Sequence, residues 1–292
     1  MVNFAPMTKT AFLAILALQI CLDRRGFSPN AMDGQCGTKT QSALAAYCTA
    51  RALPSPKTND VTSAFIRYFP NETNLFTVVE VTDADIASLV KIPKSPAGKA
   101  LLTHMGYESL LEMFAERGHV TPNTLRRLNP NVVWTNATVG TKIKIPEVSP
   151  EAVAGKASAI RVSLSKFTIT ALDAAGKPMA TYPCSIAKDK SKRPPPGEIK
   201  IVTQIADPNY TYTPDFTPKG KKPARHIFPP GPNNPVGTVW LGLSLPGYGI
   251  HGTPSPERIG RAESHGCFRL ANWNAEKLYE LVKPGTRVII EQ

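Results

Sequence analysis

Residues 250–253, Ile-His-Gly-Thr, and residues 264–270, Ser-His-Gly-Cys-Phe-Arg-Leu, constrain this chain more than any other stretch. Whatever fold it adopts has to hold Cys267 behind a tight turn. His251, sixteen residues upstream, and His265 lie within reach, and Arg269 follows two residues on. A thiol attacks carbonyls well only as a thiolate, and a nearby imidazole lowers its pKa and takes its proton. Gly266 lets the backbone turn so that amide N–H groups, those of Gly266 and Cys267, face a developing oxyanion. Ser264 offers a hydroxyl to orient its neighbours. A lone Cys-His pair would fit a buried structural cysteine equally well; this larger set points to acyl transfer through a thioester. Residue chemistry alone does not choose His251 over His265 as the base. The place of His265, directly before the turn glycine, suits shaping an oxyanion pocket or orienting substrate. Arg269 is either a bidentate partner for a substrate carboxylate or the ion-pair partner of an acid such as Glu263. Asn272 is either a hydrogen-bonding support or a helix cap. Trp240, Tyr248 and Trp273 line a cleft or fill the core, and His104, His119 and His226 have no partner motif.

The length of 292 residues suggests about two domains, with one or three also open, and a hydrophobic share of 42% supports packed cores. Prolines cluster at 54–56, 93–96, 194–196 and 229–235, marking surface connections. The net charge of +12 favours an anionic partner. Zinc spacings, basic helices and aromatic-basic RNA motifs are missing, so the expected polyanion is a carboxylate-bearing polymer rather than nucleic acid. No metal or cofactor is expected. Of the five cysteines, Cys21, Cys36 and Cys48 crowd the first fifty residues without a C-x-x-C spacing. A disulfide among them and burial as small apolar residues are both open. Cys184, in the strand-like run 182–186, belongs to a core. The apolar stretch 11–22 is too short to span a bilayer and lacks small residues at cleavage spacing, so it reads as a core helix. An export signal would then already be gone from the chain as given, and no integral membrane segment is expected.

Three modules follow along the chain, in a multidomain α+β organisation. Residues 1–55 form a small helical unit: a helix over 10–24, a glycine turn at 32–37, and a helix from Thr38, the expected N-cap, to about 52. A linker covers 56–74. Residues 75–147 read as βααβ, with a strand at 76–81, a helix within 107–116, a second helix capped by Thr121 with Pro122 at its first position, and a closing strand at 139–146. After a linker at 148–157, residues 158–292 are mostly β, with strands at 160–164, 166–171, 199–202, 238–243 and 287–290. One helix, over 274–282, follows the cysteine.

These residues also carry family resemblances. His251-Gly252-Thr253, Gly260, Ser264-His265-Gly266-Cys267, Arg269-Leu270 and Asn272 resemble the signature of the L,D-transpeptidase (YkuD) catalytic domain. The proline-glycine segments 194–198 and 229–237 resemble two further motifs of that family, the first lacking its usual threonine. The resemblance implies Cys267 as nucleophile, His251 as proton donor and acceptor, and Gly252 as the carbonyl that holds the histidine ring. His265 and Gly266 complete the catalytic set, while Arg269, Ser264 and Asn272 bind substrate. It further implies an exported, periplasmic or envelope enzyme acting on peptidoglycan stem peptides and acylated by carbapenem-type β-lactams. Cross-links between third stem residues are the expected product. Carboxypeptidase, endopeptidase or lipoprotein-anchoring activity of the same site, and a non-catalytic wall-binding role, are the alternatives. Leu18-Gln19, Asp33-Gly34, Gly37, Thr40 and Ala43-Leu44 resemble peptidoglycan-binding domain 1, with Cys48 replacing the usual glutamine. Leu125, Leu128-Asn129-Pro130, Gly140 and Ile143 to Pro146 are similar to a LysM domain interrupted by an insertion around 92–103. For each of these two modules, wall binding and a spacer role are both open.

Overall fold

Thr8 caps helix α1 (Lys9–Arg24) by accepting the Ala11 N–H at 3.2 Å. The computed structural model describes residues 8–54, 61–151, 155–214, 225–264 and 266–292. From Ile15 to Arg24, α1 is buried on every side, because it packs into two cores at once. Ile15, Leu18, Cys21 and Leu22 join a cluster with α2 (Thr38–Ala50) and α3 (Val61–Tyr68). Phe12, Leu16 and Ile20 join a second cluster that belongs to the following unit. Gln19, buried between them, ties down the turn: Nε2 donates to Asp33 Oδ1 (3.0 Å), Gln35 O (3.2 Å) and Thr40 Oγ1 (2.9 Å), and Oε1 accepts from Gly34 N (2.8 Å). Two local expectations are corrected. The N-cap of α2 is Gly37, without a side-chain cap bond, and Thr38 is the first helical residue. The stretch expected as a linker carries α3, whose Ala64 packs with Phe69 into the first core.

The second unit pairs β1 (Phe76–Glu80) antiparallel with β2 (Lys142–Pro146), Val78 opposite Lys144. Between them lie α4 (Asp83–Ala87), α5 (Pro96–Ala100), α6 (Leu110–Arg117) and α7 (Pro122–Leu128). Thr121 caps α7 with Pro122 at its first turn. Asn129 then locks α7 to β2, donating to Leu125 O and Lys144 O and accepting from Lys144 N at 2.7 Å.

The remaining strands are β3 (Ala159–Ser163), β4 (Thr168–Leu172), β5 (Pro178–Pro183), β6 (Ile186–Ala187), β7 (Gly197–Ala206), β8 (Tyr210–Tyr212), β9 (His226–Phe228), β10 (Val239–Leu243), β11 (Gly249–His251), β12 (Ala262–Ser264), β13 (Phe268–Arg269) and β14 (Arg287–Glu291). Eight of them form one sheet in the order β13-β11-β10-β7-β14-β3-β4-β5. Helix α8 (Asn272–Leu281) sets Ala275, Leu278 and Leu281 into its core. The units interlock. Phe27 bridges Thr181, Met32 bridges Val120, and Met105 N donates to Pro230 O at 2.7 Å. Asp23 of α1 is fully buried and accepts from His119 Nδ1 (2.8 Å) and Lys277 Nζ (2.7 Å), one partner from each of the other units. All five cysteines are free thiols, so the disulfide reading for Cys21, Cys36 and Cys48 is set aside; burial pushes Cys21 up to about 12. Among the described residues no helix is long and apolar enough to cross a membrane.

Candidate active site

Pairing register assembles the site. β11 lies between β10, antiparallel, and β13, parallel, with Trp240 opposite His251 and His251 opposite Arg269. Side chains alternate across a sheet, so directly opposed residues share a face. Leu241, Ile250 and Phe268 form a fully buried row on the core face. Trp240, His251 and Arg269 form the matching row on the other face. Cys267, two residues before Arg269, lies directly ahead of β13 and has the parity of that row. The two segments separated by sixteen residues thus meet because each is a short strand in neighbouring register.

His251 is buried, stacked on Trp240 with 5.6 Å between ring centres and 20° between planes. Its Nδ1 lies 2.7 Å from Gly252 O. A carbonyl only accepts, so Nδ1 carries the proton and Nε2 carries the lone pair. Burial lowers the imidazole to about 4, the Gly252 bond opposes this, and the Arg269 charge adds to the lowering. Burial also raises the Cys267 thiol, while the Gly249 N–H and Arg269 pull the other way. Both burial effects favour neutral groups. The two groups therefore rest as thiol and neutral imidazole, not as the thiolate expected from adjacency. Cys267 Sγ is half-buried, 3.8 Å from Gly247 O.

Arg269 makes no ion pair among the described residues, and its buried Nε has no partner. Glu263 is taken by Arg258 (2.9 Å) and Arg261 (3.8 Å), which removes the ion-pair reading of Arg269. Two expected substrate contacts are corrected. Ser264 is buried and donates to Cys267 O at 2.6 Å, so it braces the turn. Asn272 is 1% exposed and is neither a cap nor a surface group; it is the first residue of α8, and its amide points inward to Thr253, Glu116 and Pro232. A Cβ added at Gly266 would make ordinary contacts with Tyr248, and the Gly266 N–H lies 3.4 Å from Ser264 Oγ. His265 lies outside the described residues. Tyr248, half-buried, donates to Lys192 O at 3.0 Å beside Gly266, whereas Trp273 is core and stacks on His119. A cavity of about 1070 Å³ lies away from Cys267, between α2 and strands β3 to β5, with Asn30, Lys39, Thr40, Lys166 and Thr170 in its walls. Among the described residues no cluster of side chains could hold a metal ion.

A family model described as the L,D-transpeptidase catalytic domain, YkuD, matches residues 157–290. A Bacillus licheniformis protein carrying the name L,D-transpeptidase YkuD is 31% identical over 181 residues, 62% of this chain and 92% of that protein. The chain belongs to the YkuD family of L,D-transpeptidases. A Fuscovulum blasticum L,D-transpeptidase from the ATP synthase subunits region is 31% identical over 192 residues, covering 57% of this transpeptidase and 97% of that protein. Escherichia coli YbiS, also named as an L,D-transpeptidase, is 28% identical over 183 residues, 61% and 58% of the two chains. Sequence reasoning missed two contacts of the transpeptidase around this site: the stacking of Trp240 on His251, and the Glu116–Asn272 hydrogen bond. The first was readable only from strand register, and the second only from tertiary contact.

Proposed function

We propose that this transpeptidase joins peptidoglycan stem peptides through a thioester on Cys267. The reading is carried by a half-buried thiol directly ahead of β13, the strand paired with that of His251, and by an imidazole whose Nδ1–H is held by Gly252 O, which leaves Nε2 as the base. The thiol sulfur attacks the carbonyl between the third and fourth residues of a donor tetrapeptide. His251 Nε2 takes the thiol proton and returns it to the leaving amine, releasing D-alanine. An amine of a neighbouring stem then loses a proton to His251 and displaces the thiol, giving a link between two third residues. The Cys267 N–H, unpartnered among the described residues, is available to the tetrahedral oxyanion. Arg269 takes the free carboxylate of the donor's third residue, consistent with its lack of an acidic partner.

The setting that suits this reading is the bacterial envelope, on the periplasmic side, with the first two units holding the enzyme on the wall as peptidoglycan-binding and LysM-like modules. Hydroxyl, amide and cationic groups around the 1070 Å³ cavity suit a carboxylate-bearing saccharide. Incubation with purified muropeptides and mass spectrometry tests the proposal. Released D-alanine and a dimer linked through third residues are expected, and Cys267→Ala should abolish both together with any carbapenem adduct. Tripeptide alone would make the enzyme a carboxypeptidase, cleavage of existing dimers an endopeptidase, and linkage to a lipoprotein lysine an anchoring enzyme. D-Alanine release by Cys267→Ala would overturn the mechanism.

A further inference from the structure

The Asn272 amide has partners at every side. Oδ1 accepts the Thr253 N–H at 2.9 Å, and Nδ2 donates to Pro232 O at 3.1 Å and to Glu116 Oε1 at 2.8 Å. Glycines 237 and 252 pack against it, and a Cβ added at either would stand 2.0 or 2.2 Å from Oδ1. Gly237 also holds φ of 63°, so neither space nor backbone admits another residue there. Thr253 directly follows Gly252, whose carbonyl holds the His251 ring. A continuous path therefore runs from Glu116 on α6 of the second unit, through Asn272 and the 252–253 backbone, to the base of the catalytic unit.

Glu116 stands in a costly position. It is half-buried, and the groups facing it are Glu112 on its own helix, Glu276 on α8 and Tyr107, with no cation paired to it among the described residues. Burial raises it, and the two acidic neighbours add to the rise against the Asn272 and Tyr107 hydrogen bonds. An apolar residue would fill such a site at less cost if packing alone were needed. What the carboxyl adds is an acceptor for Asn272.

We propose that Glu116 is a positioning residue of the transpeptidase, fixing through Asn272 the Gly252–Thr253 segment that orients His251, so that the second unit takes part in catalysis. The inference rests on His251 acting as the base, as proposed above. In the full-length chain, Glu116→Ala and Asn272→Ala should each lower kcat for D-alanine release from a tetrapeptide by tenfold or more with KM unchanged. Their double variant should be no slower than Asn272→Ala alone, because both cut one path. Glu116→Gln keeps the acceptor and should restore most of the rate. Asn233→Ala, which removes other bonds across the same junction to Gly106 O and Glu112 Oε1, should keep the wild-type kcat. Wild-type kcat in Glu116→Ala, multiplicative losses in the double variant, or an equal loss in Asn233→Ala would each overturn the proposal. If the wild-type enzyme released no D-alanine, the functional reading would fail on its own. The pH dependence of Cys267 alkylation by iodoacetamide would still decide the role of Glu116: a limb displaced in Glu116→Ala and restored in Glu116→Gln supports it, and identical profiles refute it.

Discussion

His251 and Cys267 share an environment that opposes charge on either of them, so the histidine is already a free base well below neutral pH. Its ring is lowered to about 4, which means the unprotonated form is lost only as pH falls through that value. The rate constant kcat/KM for D-alanine release should therefore rise through pH 4 and stay level from about 5 to 8. Initial rates across that range check this, and an acid limb centred near the ordinary histidine value would show that the ring is solvated. Arg269→Lys keeps the charge and loses the fork, and should raise KM about tenfold, in line with the loss of one charge-assisted hydrogen bond of about 1.5 kcal/mol. An unchanged KM would remove Arg269 from substrate binding. The proposed nucleophile and base stood out in the sequence because they sit in two short segments of distinctive composition. Asn272 and Ser264 were not, because a hydrogen-bonding side chain reads alike in a sequence whether it faces solvent or the interior. The meeting of Asn272 with Glu116, 156 residues earlier, leaves no spacing signal at all.

Among the elements, α1 has no polar face over Ile15 to Leu22 apart from Gln19, which spends its hydrogen bonds on the adjoining turn and on Thr40 of α2. That is why stretch 11–22 resembles an export signal in composition: a helix walled in by two cores loses the amphipathic stripe of a surface helix. Leu16→Ala, facing the second unit, and Leu18→Ala, facing the first, should each cost about 2–5 kcal/mol. Thermal unfolding should show the same single transition lowered by either change; a variant that melts one unit while leaving the other intact would contradict the shared wall. Capping chemistry placed α7 to the residue, since Thr121 and Pro122 state the start locally. Helix α3 was hidden by the polar run that surrounds it, and its existence depends on Ala64 and Phe69 finding the core beside α1.

For the molecule as a whole, the junction between the second and catalytic units is an acid–base element. Glu116 is raised from 4.5 to about 7, so the folded state holds its proton more tightly than the unfolded chain does. The stability it contributes is full below about pH 4.5 and is lost as pH rises through 7, by at most roughly 3 kcal/mol. Denaturant titrations at pH 5 and 8 should show this loss in the wild-type protein and not in Glu116→Gln; equal losses would place the effect elsewhere. Asp23 behaves oppositely. Burial would raise it, but Lys277 and His119 outweigh burial and hold it far below the carboxylate range, so its contribution is complete near neutrality and fades only in strong acid. The Asp23–Lys277 contact also carries a temporal consequence. The aspartate emerges from the ribosome 254 residues before its lysine. Both apolar flanks of α1 are covered by residues up to 148, so what waits for the last turns of the polypeptide is the lysine partner of the buried carboxylate. A chain released before Lys277 would keep its first two cores while leaving Asp23 buried without its cation.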